Sequence, residues 1–516
     1  MSSLTSKSSE TTLYHSSVAP VEDVRRSRGW AFPNRSVDVA GIALALALST
    51  SIAAWFSTIR SPLWLDETFS YSQIAGGFRQ IWARQMLSFP AYSYILWLTK
   101  TLFGPSEVVL RMPSVLAMIA ATFVLYRAAR EFFSSDVAVI VAVVFCLHPT
   151  VAFAAVDARP YAFAVLVVNC AILSFARWMK TNSHRDGIFF GVSAAGIFYF
   201  HYLFGVILPA FAILLVVMKG REWRSWAPKV AAAAVPFALM LPPVIPTLLY
   251  LFRTGPMHVF DHAPEASDFL FTLAPGDVLT VFVGVCFLAA TLRKLESPSG
   301  ESLQVGLTGL LLAVVPLTIL FEVSTHSSVH VFVDRYRLVA IPGVALCWGF
   351  LVSQLRSRTI RAIFCAVLVV VTFSGLSVDT FSIDHPHGYT WKYALEKANK
   401  SAAPDNAPLL ICSDMPDSNF GPMPADAAND ILFAPLSYYK AYSPVVPLPR
   451  ALNKEAMEQV NNFLATAAPA RQRFLALGFF PSNPTLDWIT KRTKDTYVAN
   501  NLGIYDGVTV MEYSPQ

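Results

Sequence analysis

Residues 188–218 read IFFGVSAAGIFYFHYLFGVILPAFAILLVVM, an apolar run of 31 residues interrupted only by His201-Tyr202. As one helix it would rise about 46 Å, well beyond a hydrocarbon core of roughly 30 Å. As two short helices with a turn at His201 it crosses twice. The choice decides the topology, because every later loop changes side with it. With the amino terminus in the cytoplasm and two helices here, the basic clusters fall on one side. They are Arg127/Arg130, Lys180/Arg185, Lys219/Arg221/Arg224/Lys229, Arg293/Lys294 and Arg356/Arg358/Arg361. That asymmetry is the positive-inside pattern, and one helix at 188–218 would destroy it.

Apolar runs extend outward in both directions from this stretch. The chain is 516 residues long, 54% hydrophobic and 14% charged, against about 25% charged for a soluble domain. Its mean hydropathy is +0.49. Further spans are expected near 38–59, 107–126, 137–156, 160–178, 229–251, 277–292, 303–322, 336–353 and 360–378, about eleven in all. Tyr92–Phe103 is short and carries Lys100, so it reads as an interfacial helix. Residues 1–37 are polar, then basic, and read as a disordered cytoplasmic tail ahead of a first span too long for a cleaved signal. The fold class expected is a mostly α, polytopic membrane bundle over 38–380, followed by a small α/β domain over 385–516 outside the cytoplasm. There Lys392–Lys400 and Asn453–Leu464 read as helices, and Leu409–Cys412, Arg473–Phe480 and Val508–Tyr513 as strands.

Charge is scarce inside the spans and gathers at their outer ends. Asp66-Glu67, Asp157 with Arg159, and Asp334-Arg335-Tyr336-Arg337 come from three distant parts of the chain, and the topology puts them on one face. A carboxylate there could take a proton from an acceptor hydroxyl, and its neighbour could orient the acceptor or hold a cation. The plainer alternative for Asp66-Glu67 is a solvated pair favoured by a helix dipole. Arg159 and Arg335 suit a phosphate. Their plainer alternatives are a local Asp157–Arg159 ion pair and headgroup anchoring by Arg and Tyr. His258/His262 and His326/His330 have i,i+4 spacing without a clear third ligand, so no metal site is expected. Six cysteines, none with ligand spacing, read as free buried thiols.

LWLDE after the first span, LTKTLFGPSEVVLRMPSVL, HPTVAFAAVDARPYAF, HY at 201–202 and DRYRLVAIP occur in the order seen in bacterial GT-C glycosyltransferases. The sequence resembles the branch related to protein O-mannosyltransferases and the aminoarabinose transferase of lipid A. The resemblance spans nearly all of 38–380. It implies a hexosyl or pentosyl transferase in the bacterial inner membrane, working by inverting displacement from a polyprenyl-phosphate sugar to an extracytoplasmic lipid, glycan or protein acceptor. No nucleic acid and no firm cofactor are implied, although a divalent cation is compatible. It implies Asp66 and Glu67 as catalytic, and Arg159, Arg335 and Tyr336 at the donor phosphate. Asp157, Tyr161, His201 and Tyr202 are implied as substrate-binding. A departure lies at Phe89-Pro90-Ala91-Tyr92-Ser93, where the family often has His-Pro-Pro-Leu-Tyr. Two other classes compete. A transporter or flippase would show broken helices at matching positions of two halves. A non-catalytic membrane scaffold would leave the three charged clusters dispersed.

Overall fold

The computed structural model describes residues 38–83, 90–254, 263–292, 300–373, 389–419, 421–479 and 483–516. The tail at 1–37, Phe89 and the His258/His262 pair therefore lie outside the described residues. Residues 40–516 form one compact unit.

The helical part follows the apolar pattern. It runs α1 Val39–Trp55, α2 Leu65–Ala75, α3 Phe78–Ala83, α4 Pro90–Phe103, α5 Glu107–Ala129, α6 Ser135–Leu147, α7 Pro149–Ala155, α8 Tyr161–Thr181 and α9 His184–Phe200. It continues α10 Leu208–Lys219, α11 Trp223–Met240, α12 Ile245–Thr254, α13 Ala266–Leu273, α14 Gly276–Thr291, α15 Gly300–His326, α16 Asp334–Arg337, α17 Ile341–Ser353 and α18 Arg358–Val371. A helix stands at each position where a span is expected. Among the described residues, five helical stretches are long and apolar enough to cross a membrane on their own, or up to seven if each bent pair is one span. One of the five, Tyr202–Leu249, covers 48 residues, roughly 70 Å of helix and more than twice a hydrocarbon core. Others, such as α1 and α9 with 17 residues each, fall just short of that length.

The long apolar run does break at His201. That residue ends α9 in an extended conformation (φ −158°, ψ 115°), and the chain restarts as a short 3-10 turn at Tyr202–Ile207. The helices pack through small residues. A side chain at Gly191 on α9 would run into the backbone oxygen of Ala233 on α11, and one at Gly343 on α17 into the backbone of Leu312 and Ala313 on α15. Close backbone approach of this kind drives helix association where lipid is as apolar as the side chains. Leu116, Phe123, Val216, Leu239 and Phe287 lie exposed on the spans, where hydrocarbon would cover them.

Beyond the bundle lies a five-stranded sheet of order β2-β1-β3-β5-β4. Its strands are β1 Leu409–Cys412, β2 Val445–Leu448, β3 Phe474–Phe479, β4 Tyr497–Tyr505 and β5 Val508–Pro515. β1 pairs in parallel with β2 and β3, and β5 pairs antiparallel with β3 and β4. Both faces are covered, as a parallel core requires. Leu409, Ile411, Leu475, Leu477 and Val510 face one cluster; Leu410, Cys412, Phe474, Ala476 and Tyr513 face the other. Helices α19 Lys392–Ala402, α20 Ala434–Tyr438, α21 Lys454–Ala467 and α22 Pro484–Thr493 complete this part. β2, β4, α20 and α22 are additions to the expected elements. The sheet part rests directly on α2 through Tyr438 and Tyr439, which pack with Leu63, Ile74 and Tyr71.

Candidate active site

α2 begins immediately after the expected first span, with Trp64 at its N-cap and both acids in its first turn. The two acids have different surroundings. Asp66 keeps a quarter of its side chain exposed and lies 3.8 Å from Arg335 Nη1 at the start of α16. Glu67 is 1% exposed. Its Oε1 accepts from Arg111 Nε (2.7 Å) and Ala158 N (2.8 Å). Its Oε2 accepts from Arg111 Nη2 (2.5 Å) and Trp64 N (3.2 Å). Four donors therefore occupy the carboxylate, and no lone pair is left over for substrate.

Arg111 is the residue that sequence reasoning passed over. It is fully buried one turn into α5. Besides holding Glu67, its Nη1 reaches the carbonyls of Ile59 (3.2 Å) and Ser61 (2.6 Å) and the Ser61 hydroxyl (2.8 Å), and its Nη2 reaches Pro62 O (2.9 Å). One guanidinium thus gathers the carbonyls of the turn that leads from α1 into α2. A lone arginine inside an otherwise apolar span was the signal, since an intramembrane charge needs a partner.

The loop between α7 and α8 also meets the start of α2. Asp157 is fully buried, and its Oδ1 accepts from the Trp64 indole at 3.0 Å. Burial, with the Glu67 charge adding to it, holds the Asp157 carboxyl well above the usual carboxylate range, against the pull of Arg159. Its second oxygen has no hydrogen-bond partner. A simple Asp157–Arg159 ion pair is not what forms. Arg159 Nη1 instead donates to Asp66 O (3.3 Å) and Ser70 Oγ (3.2 Å), both on α2, and the guanidinium lies over the Phe69 and Tyr161 rings.

Aromatic rings close the site. Tyr161, at the start of α8, packs 5.2 Å from His201 and 6.4 Å from Tyr336. His201 also packs on Tyr336 at 5.2 Å and stacks on Tyr202 at 5.6 Å. The helix break at 201 thus brings His201 and Tyr202 to the residues that begin α8 and α16. Arg335 lies over the Tyr336 ring. Arg337 does not join them. It pairs with Asp334 and donates to Asp268 O and Thr272 Oγ1, which ties α16 to α13. His326 lies beside Glu322, and His330 is bonded to Ser324 O. Among the described residues no group of three His, Cys, Asp or Glu side chains is placed to hold a metal ion.

The three charged clusters therefore converge, joined by Asp66–Arg335, Arg159–Asp66 and Trp64–Asp157 contacts. Residues 88–249 match the family described as dolichyl-phosphate-mannose-protein mannosyltransferase. The fold is similar to the crystal structure of ArnT from Cupriavidus metallidurans bound to undecaprenyl phosphate. The TM-score is 0.56 at 13% identity, over 92% of this chain and 98% of that one. The apo ArnT structure matches over the same extents at 14% identity and the same TM-score.

The chain is an integral membrane protein with an ArnT-like fold.

No curated protein matches it in sequence. The family match spans α4 to α12, which includes the 155–161 loop and His201, and leaves out Asp66 and Arg335. The likeness to ArnT covers the bundle and the sheet part together.

Proposed function

We propose that the protein is a membrane glycosyltransferase that moves a sugar from a polyprenyl-phosphate donor to an acceptor hydroxyl at the extracytoplasmic face. The single observation carrying this reading is the convergence of Asp66, Arg159 and Arg335 from three distant segments onto one partly open site. A scaffold has no need for that convergence. Against a transporter, the buried charge Arg111 is fully engaged by Glu67 and the 59–62 carbonyls, which leaves it nothing to carry across.

The chemistry divides along the geometry. Of the acids that meet Arg335 and Arg159, Asp66 is the one with an exposed edge, so it is the general base: the acceptor oxygen attacks the anomeric carbon as its proton passes to the Asp66 carboxylate. The bond from that carbon to the lipid phosphate oxygen breaks, and its electron pair leaves with the phosphate. Attack opposite the leaving group inverts the anomeric centre. Arg335 and Arg159 stand next to the base and stabilise the charge growing on the phosphate. Tyr161, His201, Tyr202 and Tyr336 supply an aromatic wall to the sugar. Glu67 acts here as a support that fixes α2, and Asp157 as a buried anchor for Trp64. The inner membrane of a bacterium, with the amino terminus in the cytoplasm, is the setting that fits the basic loops. Domain limits of 38–380 and 385–516 are part of the same proposal.

Mass spectrometry of envelope glycans and lipids from cells with and without the protein tests the reading. A sugar modification that vanishes on deletion, while its polyprenyl-phosphate donor accumulates, supports it. Identical profiles would contradict it.

A further inference from the structure

We infer that Thr390 and Tyr439, both in the sheet part, are positioning residues that hold the base-bearing helix α2 in register. The inference rests on the reading of Asp66 as the base. Leu63 lies three residues before Asp66 and is fully buried. Among the described residues, its backbone is held by side chains more than 300 positions away. Leu63 N donates to Tyr439 Oη at 2.6 Å, and that hydroxyl donates back to Leu63 O at 3.3 Å. Thr390 Oγ1 donates to the same carbonyl at 2.9 Å and is 3% exposed. Both polar atoms of one residue are thus fixed by the sheet part, while Arg111 fixes the carbonyls just before it from the bundle.

The consequence for Asp66 is geometric. α2 starts at Leu65 from an extended Trp64 (φ −85°, ψ 175°), so the direction of the helix is set by the peptides of Leu63 and Trp64. One hydrogen bond leaves a peptide free to pivot; bonds to both N–H and C=O do not. Tyr438 adds a second hold lower on the same helix, its ring edge-on to Tyr71 at 5.0 Å. The carboxylate of Asp66 must reach both acceptor and anomeric carbon, and an error near 1 Å in such a group costs on the order of 100-fold in rate. The sheet part thereby acts on the chemistry without touching substrate.

The test uses the full chain in lipid nanodiscs and in cells lacking the native gene. Tyr439→Phe/Thr390→Val is compared with wild type, Thr390→Ser and Asp66→Asn. Three readouts are taken: glycan product by mass spectrometry, melting temperature, and binding of undecaprenyl phosphate as a probe. The expected result is a product rate lowered roughly 10- to 100-fold, with melting lowered by no more than a few degrees for the lost buried hydrogen bonds, with probe binding unchanged, and with Thr390→Ser at wild-type rate. Product within twofold of wild type beside an inactive Asp66→Asn overturns the inference alone. A rate loss matched by collapse of the melting transition or by lost probe binding also overturns it, since the contact then only docks the sheet part. If Asp66→Asn stays active, the reading of the base fails, and this inference falls with it.

Discussion

Arg111→Met offers the sharpest test of what the paired acids do. In the native protein the Arg111–Glu67 ion pair is fully buried on both sides. Removing the guanidinium leaves a carboxylate with only two backbone amides, Trp64 N and Ala158 N, to offset its burial. It also strips donors from the carbonyls of Ile59, Ser61 and Pro62. Breaking a buried pair by taking one partner costs about 3–5 kcal/mol. Glu67→Gln is nearly isosteric yet should be costly too. All four groups aimed at Glu67 are donors, so the amide NH2 of glutamine must face one or two of them. Its expected cost is about 1–3 kcal/mol. The doubly substituted Glu67→Met/Arg111→Met protein leaves no unpaired charge and should lose less than the sum of its single changes, by about 0.5–3 kcal/mol. SDS titration of the purified variants, with the Glu67→Met single change added to close the cycle and tryptophan fluorescence as the readout, measures all four. Transfer per folded molecule should fall only as far as the turn before α2 loosens. Wild-type stability in Arg111→Met would refute the clamp. Full stability with complete loss of transfer in Glu67→Gln would return Glu67 to the chemistry.

Other expectations follow from separate parts of the structure. Arg335→Met and Arg159→Met should each weaken undecaprenyl phosphate binding by about 10- to 100-fold, the worth of a charge-assisted hydrogen bond; wild-type affinity in both would remove the phosphate from this site. Burial raises the Asp414 carboxyl to about 7, against the pull of Trp391 and Arg450. The folded state then binds more protons than the unfolded one between the ordinary carboxylate range and about pH 7. Stability should therefore fall as pH rises through that window, at up to about 1.4 kcal/mol per pH unit, and level off above it. Asp414→Asn should flatten this dependence in melting curves recorded from about pH 4.5 to 8. Gly191→Ala should destabilise the bundle by about 1–3 kcal/mol by forcing α9 from α11, read in the same SDS titration.

What could be read in advance followed from the cost of charge in hydrocarbon. Asp66, Arg159 and Arg335 were visible because the topology put these charges together at the outer ends of the spans, away from the basic inner loops. The break at His201 was visible because the basic loops would otherwise change sides. Arg111 stayed hidden for the converse reason: its partner Glu67 lies 44 residues away, and a single arginine in LRMPSVL passes for the end of a span. The same blindness applied to Asp157 and Arg159. Adjacency suggested an ion pair, but burial sent the carboxylate to the Trp64 indole and the guanidinium to α2. Tyr439 and Thr390 were out of reach, because nothing local announces a hydroxyl that meets Leu63 across more than 300 residues. In the sheet part, β1 and β3 were legible as continuous apolar strands, and β5 by its β-branched and aromatic residues. β4, reading YVANNLGIY, alternates too weakly and carries a bulge at Asn501/Gly503.

The central claim is that Asp66, the partly exposed acid that meets both Arg335 and Arg159, does the chemistry. The most direct measurement is glycan mass spectrometry on cells whose only copy of the protein carries Asp66→Asn, beside a quantified membrane level. Loss of the product at an unchanged protein level is the predicted result. Wild-type product from the Asp66→Asn protein would contradict it.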